Sequence, residues 1–387
     1  MAAHTPWHAQ TGLPRASFVY ACIVRFLARR SCVTSPIPFF DGHNDFLLRL
    51  AMAQDQREAL WLGDTGKGHL DLARMKRAGF AGGLFAIFVP PHPEDRTANF
   101  ATLLANPPYD VALPPLMEHP EAQPAALHMA GLLHWMARTA PGDFAVCRTV
   151  AGIRAAMDEG RIAGVMHMEG AEAIGPDLDA LYLFHDMGLR SLGPVWSRPT
   201  VFGHGVPFRF PGSPDTGPGL TPAGKDLVRA CNELGILVDL SHMNEAGFDD
   251  VAAISDAPLV ATHSNAHALC PSARNLTDRQ LAQIRDSGGM VGLNFATFFL
   301  RDDGRASSDI GWDVLLRHID YLIAHLGEDH VGLGSDFDGC VVPQVIGDVT
   351  GVASLLEALY TAGYGDALLA KLARGNWLAC LERTLRG

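Results

Sequence analysis

Short apolar runs alternate with helix-patterned segments along most of the chain. The runs are rich in Val, Ile, Phe and Gly and lack strict polar alternation, which is typical of strands buried on both faces of a parallel sheet. Eight runs have this character: Phe39–Asp45, Ala81–Val89, Ile162–Glu169, Leu189–Trp196, Ile236–His242, Leu259–His263, Met290–Ala296 and His330–Asp336.

Helix signals lie between and after these runs. Thr221-Pro222 opens a helical pattern over Ala223–Leu234, and Thr277 with Gln280 is typical of a capping box. Two terminal helices are expected at Gly351–Ala362 and Ala367–Leu385. Because repeats of strand, helix and strand demand parallel pairing, the pattern predicts an α/β fold.

Eight β/α units of this kind close naturally into a TIM (β/α)8 barrel, whose active groups lie at the carboxyl ends of the strands. An open doubly wound sheet is the alternative. Two insertions, Pro91 to about Ala125 and Ser197 to Leu220, interrupt the rhythm. We expect both to lie over the site and to shape substrate access.

The first 35 residues lack this pattern. Ala16–Val24 is apolar but too short to span a bilayer, and the arginines that follow are the wrong flank for signal cleavage. We predict an N-terminal extension at residues 1–35 and a single domain at residues 36–387. There is no hydrophobic C-terminal tail for a lipid anchor, so a cytoplasmic location is expected, with export through an atypical leader as the alternative.

Composition narrows the range of partners. The formal net charge of −12 repels phosphate backbones, so nucleic acid is not expected as a partner. The seven cysteines are scattered and show no C-x-x-C spacing, which indicates reduced thiols and neither a disulfide framework nor a zinc-thiolate site. A small molecule or peptide fits better as substrate, and a homodimer is an assembly that the sequence permits.

Histidines and acidic residues stand where several predicted strands end. Residues two apart in a strand point to the same face, so His43 and Asp45 could hold one cation together. Comparable positions on other strands bring the set to six: His43, Asp45, Glu169, His242, His263 and Asp336. Imidazoles and carboxylates are the ligands of Zn²⁺ and similar divalent metals.

Two metal ions explain this ligand number better than one, because six protein ligands would leave a single zinc no open position. Glu169 can bridge the two ions. One ion would then be held by His43, Asp45 and Glu169, and the other, about 3.5–4 Å away, by Glu169, His242 and His263. Each histidine alone could be a core residue whose hydrogen bonds are satisfied. A metal site is favoured because all of them stand at the ends of predicted strands.

Two other motif interpretations fail. Asp336-Phe337-Asp338-Gly339 lacks the later oxygen ligands and the final glutamate of a calcium loop. Gly332-x-Gly334 lacks the third glycine of a dinucleotide fingerprint, since position 337 is Phe.

Six short motifs follow one another between residues 38 and 380: Asp41-Gly-His-Asn-Asp45, His167-Met-Glu169-Gly170, Asp239-Leu-Ser-His242, Thr262-His263-Ser264-Asn265-Ala266, Arg274-Asn275 and Gly334-Ser-Asp336-Phe-Asp338-Gly339. Together they resemble the membrane (renal) dipeptidase family, and the chain is similar to its soluble bacterial members. The resemblance implies a TIM barrel of the metal-dependent hydrolase type with a binuclear zinc site. It also implies cleavage of dipeptides, with a D-residue tolerated at the C-terminal position.

The resemblance further implies a role for each matched residue. Asp336 would handle the catalytic proton, and Arg274 would bind the substrate carboxylate, while a metal-bridging hydroxide attacks the peptide carbonyl. The two zinc ions would be held by the five remaining residues of the strand-end set, with Glu169 bridging: His43, Asp45, Glu169, His242 and His263.

One departure from the family concerns the end of the fourth predicted strand. The family has a substrate-contacting histidine there, where this chain has Gly193-Pro194-Val195-Trp196-Ser197-Arg198. Trp196 and His204 are therefore the candidates for substrate contact, with Arg198 or another loop group as alternatives. Two further functions stay open: hydrolysis of another amide, such as a β-lactam or N-acyl amino acid, and a binding barrel without turnover.

Overall fold

The computed structural model describes residues 36–63 and 65–386, so the predicted extension at residues 1–35 lies outside the described residues. The strands in this part of the chain are β1 (Phe39–Asn44), β2 (Phe80–Phe88), β3 (Tyr109–Asp110), β4 (Phe144–Val146), β5 (Ile162–Glu169), β6 (Leu189–Gly193), β7 (Arg209–Phe210), β8 (Leu237–Val238), β9 (Val260–Ser264), β10 (Met290–Leu293) and β11 (Val331–Leu333).

Helices connect these strands and pack outside the sheet. They are α1 (Phe46–Met52), α2 (Arg57–Leu62), α3 (Leu72–Ala78), α4 (Phe100–Leu104), α5 (His119–Thr139), α6 (Val150–Asp158), α7 (Asp179–Met187), α8 (Pro222–Leu234), α9 (Glu245–Ile254), α10 (Asp278–Asp286), α11 (Thr297–Leu300), α12 (Trp312–Leu326), α13 (Val352–Thr361), α14 (Asp366–Ala370) and α15 (Asn376–Thr384). None of the helices in the described ranges combines the length and the apolar run that a membrane span requires.

Eight parallel strands form the main sheet in the order β8-β6-β5-β2-β1-β11-β10-β9, and β4 pairs with β5 beside them. The two ends of this path meet: Asp239 forms a parallel bridge with Val260, and the Leu240 N–H donates to the Val260 carbonyl at 2.8 Å. All eight predicted strand runs overlap one of these strands, although β2 begins one residue before its run and β9 ends one residue after its run. The predicted TIM-type α/β barrel is thereby confirmed, and the open doubly wound sheet is wrong.

The two predicted insertions contact each other. Strand β3 from the first pairs antiparallel with β7 from the second, with Tyr109 opposite Phe210 and Asp110 opposite Arg209. The first insertion ends earlier than about Ala125, because α5 begins at His119.

Regular pairing ends earlier than the apolar runs predict. Strand β8 ends at Val238 and β11 at Leu333, whereas the apolar runs extended to His242 and Asp336. His242 and Asp336 both have positive φ, 64° and 58°, a left-handed conformation that a strand cannot contain. His242 and Asp336 therefore stand just beyond their strands, whereas Glu169 is the last residue of β5, and His43 and His263 lie within β1 and β9.

The bottom of the barrel is filled by Trp377, which lies on the last helix. A π-helical turn at Lys371–Gly375 interrupts the single helix predicted from Ala367 to Leu385. After this turn the Trp377 indole N–H donates to the Leu333 carbonyl at 2.8 Å. A Cβ atom on Gly332 would lie 2.7 Å from the indole nitrogen, so glycine is needed there for the ring to enter.

The predicted helix starts are confirmed. Thr221 caps α8 by accepting from the Gly224 N–H, and Thr277 and Gln280 form the capping box of α10.

His318 on α12 gives a prediction for the pH dependence of stability. It is 1% exposed, Nε2–H donates to the Leu300 carbonyl at 3.0 Å, and burial lowers its pKa from 6.5 to about 4. The unfolded imidazole binds a proton below pH 6.5 and the folded one only below about 4, so stability is lost as the pH falls through this window.

We therefore expect the stability advantage of wild type over His318→Gln to shrink by about 2 kcal/mol between pH 7.5 and 5. Urea unfolding of both proteins at the two pH values measures this difference. Parallel pH dependence in the two proteins would show that His318 does not carry the effect.

Candidate active site

The structure brings the six predicted strand-end residues together at the carboxyl rim of the barrel. His43 Nε2 lies 3.5 Å from Asp45 Oδ2 and 3.7 Å from Glu169 Oε2. His242 Nε2 and His263 Nε2 lie 3.1 Å and 3.4 Å from Glu169 Oε1. Two groups have the spacing of metal ligands, one of His43, Glu169 and His263, the other of His43, Asp45 and Asp336.

The carboxylate of Glu169 divides this cluster in two. Its Oε2 faces His43, while its Oε1 faces His242 and His263, whose Nε2 atoms are 3.3 Å apart. Glu169 ends β5 and is 5% exposed, so neither oxygen is simply solvated. One carboxylate thus presents a separate oxygen to each of two sets of ligands.

Hydrogen bonds on the far sides of two imidazoles fix the orientation of their rings. Nδ1 of His242 lies 2.9 Å from Ser197 Oγ, and Nδ1 of His263 lies 2.8 Å from Thr262 Oγ1. Thr262 Oγ1 donates to Asp239 Oδ2 at 2.6 Å, so it accepts from His263. Donation through Nδ1 leaves the Nε2 lone pair free, as in a metal-binding histidine.

Burial sets the charge state of the cluster. It lowers the pKa of His43, His242 and His263, so these imidazoles are neutral near pH 7. It raises the pKa of Asp45 and Asp336 to about 7, and burial together with those two carboxylates raises the pKa of Glu169. Positive charge bound among the three carboxylates would offset this cost of burial and favour their ionised forms.

The donor set fits divalent cations. Both ring nitrogens of His43 are buried without a hydrogen-bond partner among the described residues. An unsatisfied buried imidazole is costly unless a ligand occupies it, and neutral imidazoles with carboxylates are the donors that zinc binds. The six residues therefore form a cluster whose chemistry suits divalent metal ions.

Asp336 stands on the cavity side of this cluster. The Asn294 amide donates to Asp336 Oδ2 at 3.0 Å, and the Asp336 N–H donates to the His43 carbonyl at 3.0 Å. Asp336 also lines the cavity and is partly exposed to it, unlike the buried histidines. The carboxylate is thus oriented and still accessible to a bound molecule.

Arg274 lies next to His263, outside the cavity lining. Its guanidinium donates to the His263 carbonyl at 2.8 Å and to Ser264 Oγ at 2.7 Å, and its carbon atom lies 5.6 Å from the centre of the Phe299 ring. Two of five N–H donors are used in these bonds, and Nε has no partner among the described residues. Burial lowers its pKa to about 10, so it stays cationic.

A cavity of about 420 Å³ opens above the cluster. The wall is mainly aromatic and aliphatic, with Leu48, Phe88, Phe208, Phe298 and Phe299 among its residues. This volume lies within the range of small-molecule sites. Trp196 lines the cavity, whereas His204 is not among the described residues that do so.

Arg198, an alternative candidate for substrate contact, is instead part of a buried ion pair. Its guanidinium donates to Glu172 Oε1 at 2.8 and 3.0 Å and to the Val89 carbonyl at 2.7 Å. The pair links residues that follow β2, β5 and β6. It therefore fixes the backbone that carries Trp196 and Ser197.

Several of these groups have no signal in the sequence. Ser197, Asn294 and Glu172 orient other side chains, but each stands in irregular backbone, where no periodicity marks it. The aromatic wall likewise combines residues from distant loops. The rule that a polar residue closes an apolar run identifies the six cluster residues, but it does not identify the side chains that orient them.

Comparison with known proteins places the chain among metallopeptidases. A family model described as membrane dipeptidase (peptidase family M19) matches residues 27–385, a range that contains all six cluster residues. An uncharacterized protein of the PQQ-III 3′ region in Acinetobacter calcoaceticus is 44% identical over 288 residues, covering 74% of this chain and 89% of the relative. Dipeptidase ataJ of Aspergillus terreus is 27% identical over 379 residues, covering 92% and 87%.

Two solved structures resemble the whole barrel. A metallo peptidase from Rhodobacter sphaeroides, liganded with a phosphinate mimic of the dipeptide L-Ala-D-Ala, has 63% identity and a TM-score of 0.89, covering 90% of this chain and 100% of that one. The probable dipeptidase PvdM from Pseudomonas aeruginosa has 27% identity and a TM-score of 0.76, covering 90% and 96%.

Proposed function

Because the chain belongs to the membrane dipeptidase family of metal-dependent peptide hydrolases, we propose that it hydrolyses free dipeptides at a site holding two zinc ions. We propose further that it accepts a D-residue at the C-terminal position, as the L-Ala-D-Ala mimic on its Rhodobacter sphaeroides relative suggests.

The observation that carries this proposal is that the two oxygens of the Glu169 carboxylate face different sets of potential ligands. His43 and Asp45 would hold one ion together with Oε2, and His242 and His263 would hold the other together with Oε1. A single ion would leave one of the two oxygens, and the histidines facing it, without a partner. Bridging of two ions by Glu169 would give both oxygens, and the histidines facing them, a partner.

When bound, two such ions supply a nucleophilic water at neutral pH and polarise the substrate carbonyl. The chain's own residues do the rest. Asp336, held by Asn294 and open to the cavity, takes the proton of the nucleophile and passes it to the leaving amine. The apolar wall excludes bulk water, which strengthens the electrostatic interactions inside.

Arg274 is the proposed partner of the substrate's terminal carboxylate. It is buried and cationic, and three of its five N–H donors remain for a ligand. A planar guanidinium suits a bidentate grip on a carboxylate. In a dipeptide this carboxylate lies one residue beyond the scissile carbonyl, so a fixed cation at that distance favours dipeptides over longer chains.

Arg274→Ala should therefore lose about 10²-fold or more in kcat/KM on a free dipeptide, and much less on the same dipeptide with a C-terminal amide. Steady-state kinetics on the two substrates measures the ratio, with metal content as the control for an intact site. Equal losses on both substrates would show that Arg274 does not bind the carboxylate.

The function as a whole is tested by a hydrolysis screen of L-L, L-D and D-L dipeptides with zinc-loaded protein. We expect cleavage of L-L and L-D dipeptides and loss of activity on chelation. Cleavage of β-lactams or N-acyl amino acids alone would support the other-amide function, and no cleavage with normal metal content would support a binding barrel.

A further inference from the structure

The active-site cavity and a second cavity share an aromatic wall. The second cavity has a volume of about 260 Å³ and is lined mainly by residues of the two insertions. Three residues line both cavities: Phe100, Trp196 and Phe208. The ring of Trp196 lies closer to the cluster than that of Phe208, since their centres are 5.8 Å and 6.4 Å from that of His242.

The second cavity suits an apolar group. Its lining includes Pro91, Val111, Leu113 and Pro114, with Asp95 and Arg96 as its charged members. An apolar cavity of about 150 Å³ is enough to hold a benzene ring. The cavity of 260 Å³ therefore has room for an aromatic side chain.

The backbone and the side chain of Trp196 are held by different contacts. The backbone forms an antiparallel bridge with Arg198, whose side chain is fixed by Glu172. The indole packs against other rings, with centroids 4.9 Å from Phe88 and 5.7 Å from Phe208. Truncating the indole thus removes its part of the shared wall and leaves the ion pair that fixes the backbone.

A row of rings connects the proposed carboxylate site to Trp196. The Arg274 guanidinium lies 5.6 Å from the Phe299 ring centre, Phe299 stacks on Phe208 at 6.0 Å, and Phe208 contacts Trp196. With the terminal carboxylate at Arg274, this row is the surface along which a side chain on the same Cα would extend towards the indole.

We propose that Trp196 limits the length of the side chain at the C-terminal residue of the dipeptide. The cavity behind the indole is an extension of that subsite, and it takes a bulky apolar side chain once the indole is removed. This inference rests on the proposed dipeptidase function, with Arg274 at the carboxylate.

The test compares wild type with Trp196→Ala on Ala-Ala, Ala-Phe and Phe-Ala, with the C-terminal residue in both L and D forms. We expect the kcat/KM ratio of Ala-Phe to Ala-Ala to rise about tenfold or more in the variant. The ratio of Phe-Ala to Ala-Ala should change by less than about threefold, because the N-terminal side chain does not meet the indole.

Leu113→Ala is the matched control, because Leu113 lines the second cavity but not the active-site cavity, so the indole still separates the two. It should leave the Ala-Phe preference unchanged. Trp196→Leu keeps an apolar side chain against Phe88 and Phe208, and provides the same comparison if the alanine variant loses metal or unfolds.

An unchanged Ala-Phe ratio in a folded, metal-loaded Trp196 variant would overturn the inference, as would an equal rise for Phe-Ala. The dipeptidase proposal would survive both results. Failure of the wild type on every dipeptide would instead overturn the proposed function, and the inference with it.

Discussion

Glu169→Ala is expected to lose both metal ions and to lower kcat/KM by about 10³-fold or more, because one carboxylate serves both halves of the cluster. Its Oε1 and Oε2 face different histidines at 3.1 to 3.7 Å, so its removal leaves each half one ligand short. Metal analysis of the purified variant, beside dipeptide kinetics, measures both effects.

Two other variants provide comparisons for the metal content of Glu169→Ala. Glu121→Gln changes a carboxylate outside the cluster, whose side chain is 59% exposed, and should keep full metal content. His263→Ala removes a ligand from one half alone and should retain roughly one equivalent of metal. Full occupancy of two ions in Glu169→Ala would contradict the bridging role.

Asp336→Asn is expected to keep near-normal metal content while kcat falls by about 10²–10⁴-fold, the range for removal of a positioned acid or base. The asparagine has nearly the same shape, but it cannot accept the proton. Single-turnover kinetics with metal analysis separates loss of proton transfer from loss of metal.

Asp338→Asn is the matched control for Asp336→Asn. Asp338 lines the same cavity, but its carboxylate accepts a hydrogen bond from the backbone N–H of His69 at 2.7 Å. The side-chain oxygen of an asparagine can accept the same bond. We expect a much smaller loss in kcat. If Asp336→Asn loses a metal ion while turnover per occupied site is unchanged, Asp336 is a structural ligand and the proton carrier lies elsewhere.

The barrel and the six cluster residues could be predicted because both depend on one simple rule. Strands buried on two faces must be apolar throughout, so a polar residue that closes such a run stands out. Parallel pairing then brings the run ends to one rim, which is why residues as distant as His43 and Asp336 share a site.

The predicted strands extended beyond the observed ones for a physical reason. His242 and Asp336 take positive φ at the rim, a strained conformation in a non-glycine residue that composition does not reveal. Such strain is common at functional sites, where surrounding contacts hold it. Here the Asp336 N–H donates to the His43 carbonyl, a contact between residues almost three hundred positions apart.

The groups that orient the cluster could not be predicted because their partners come from separate loops. Glu172 and Arg198 form a buried pair only after the ends of β5 and β6 are brought side by side, and an isolated charge in either loop would be taken as solvated. The same holds for the indole of Trp196, whose place between two cavities depends on insertions that show no periodicity.

Anomalous diffraction from crystals of the zinc-loaded protein tests the central claim most directly. We predict two peaks at the barrel rim, each about 2.0–2.2 Å from a different oxygen of Glu169, one beside His43 and Asp45 and the other beside His242 and His263. A single peak, or two peaks of which one does not contact Glu169, would contradict a binuclear site bridged by this carboxylate.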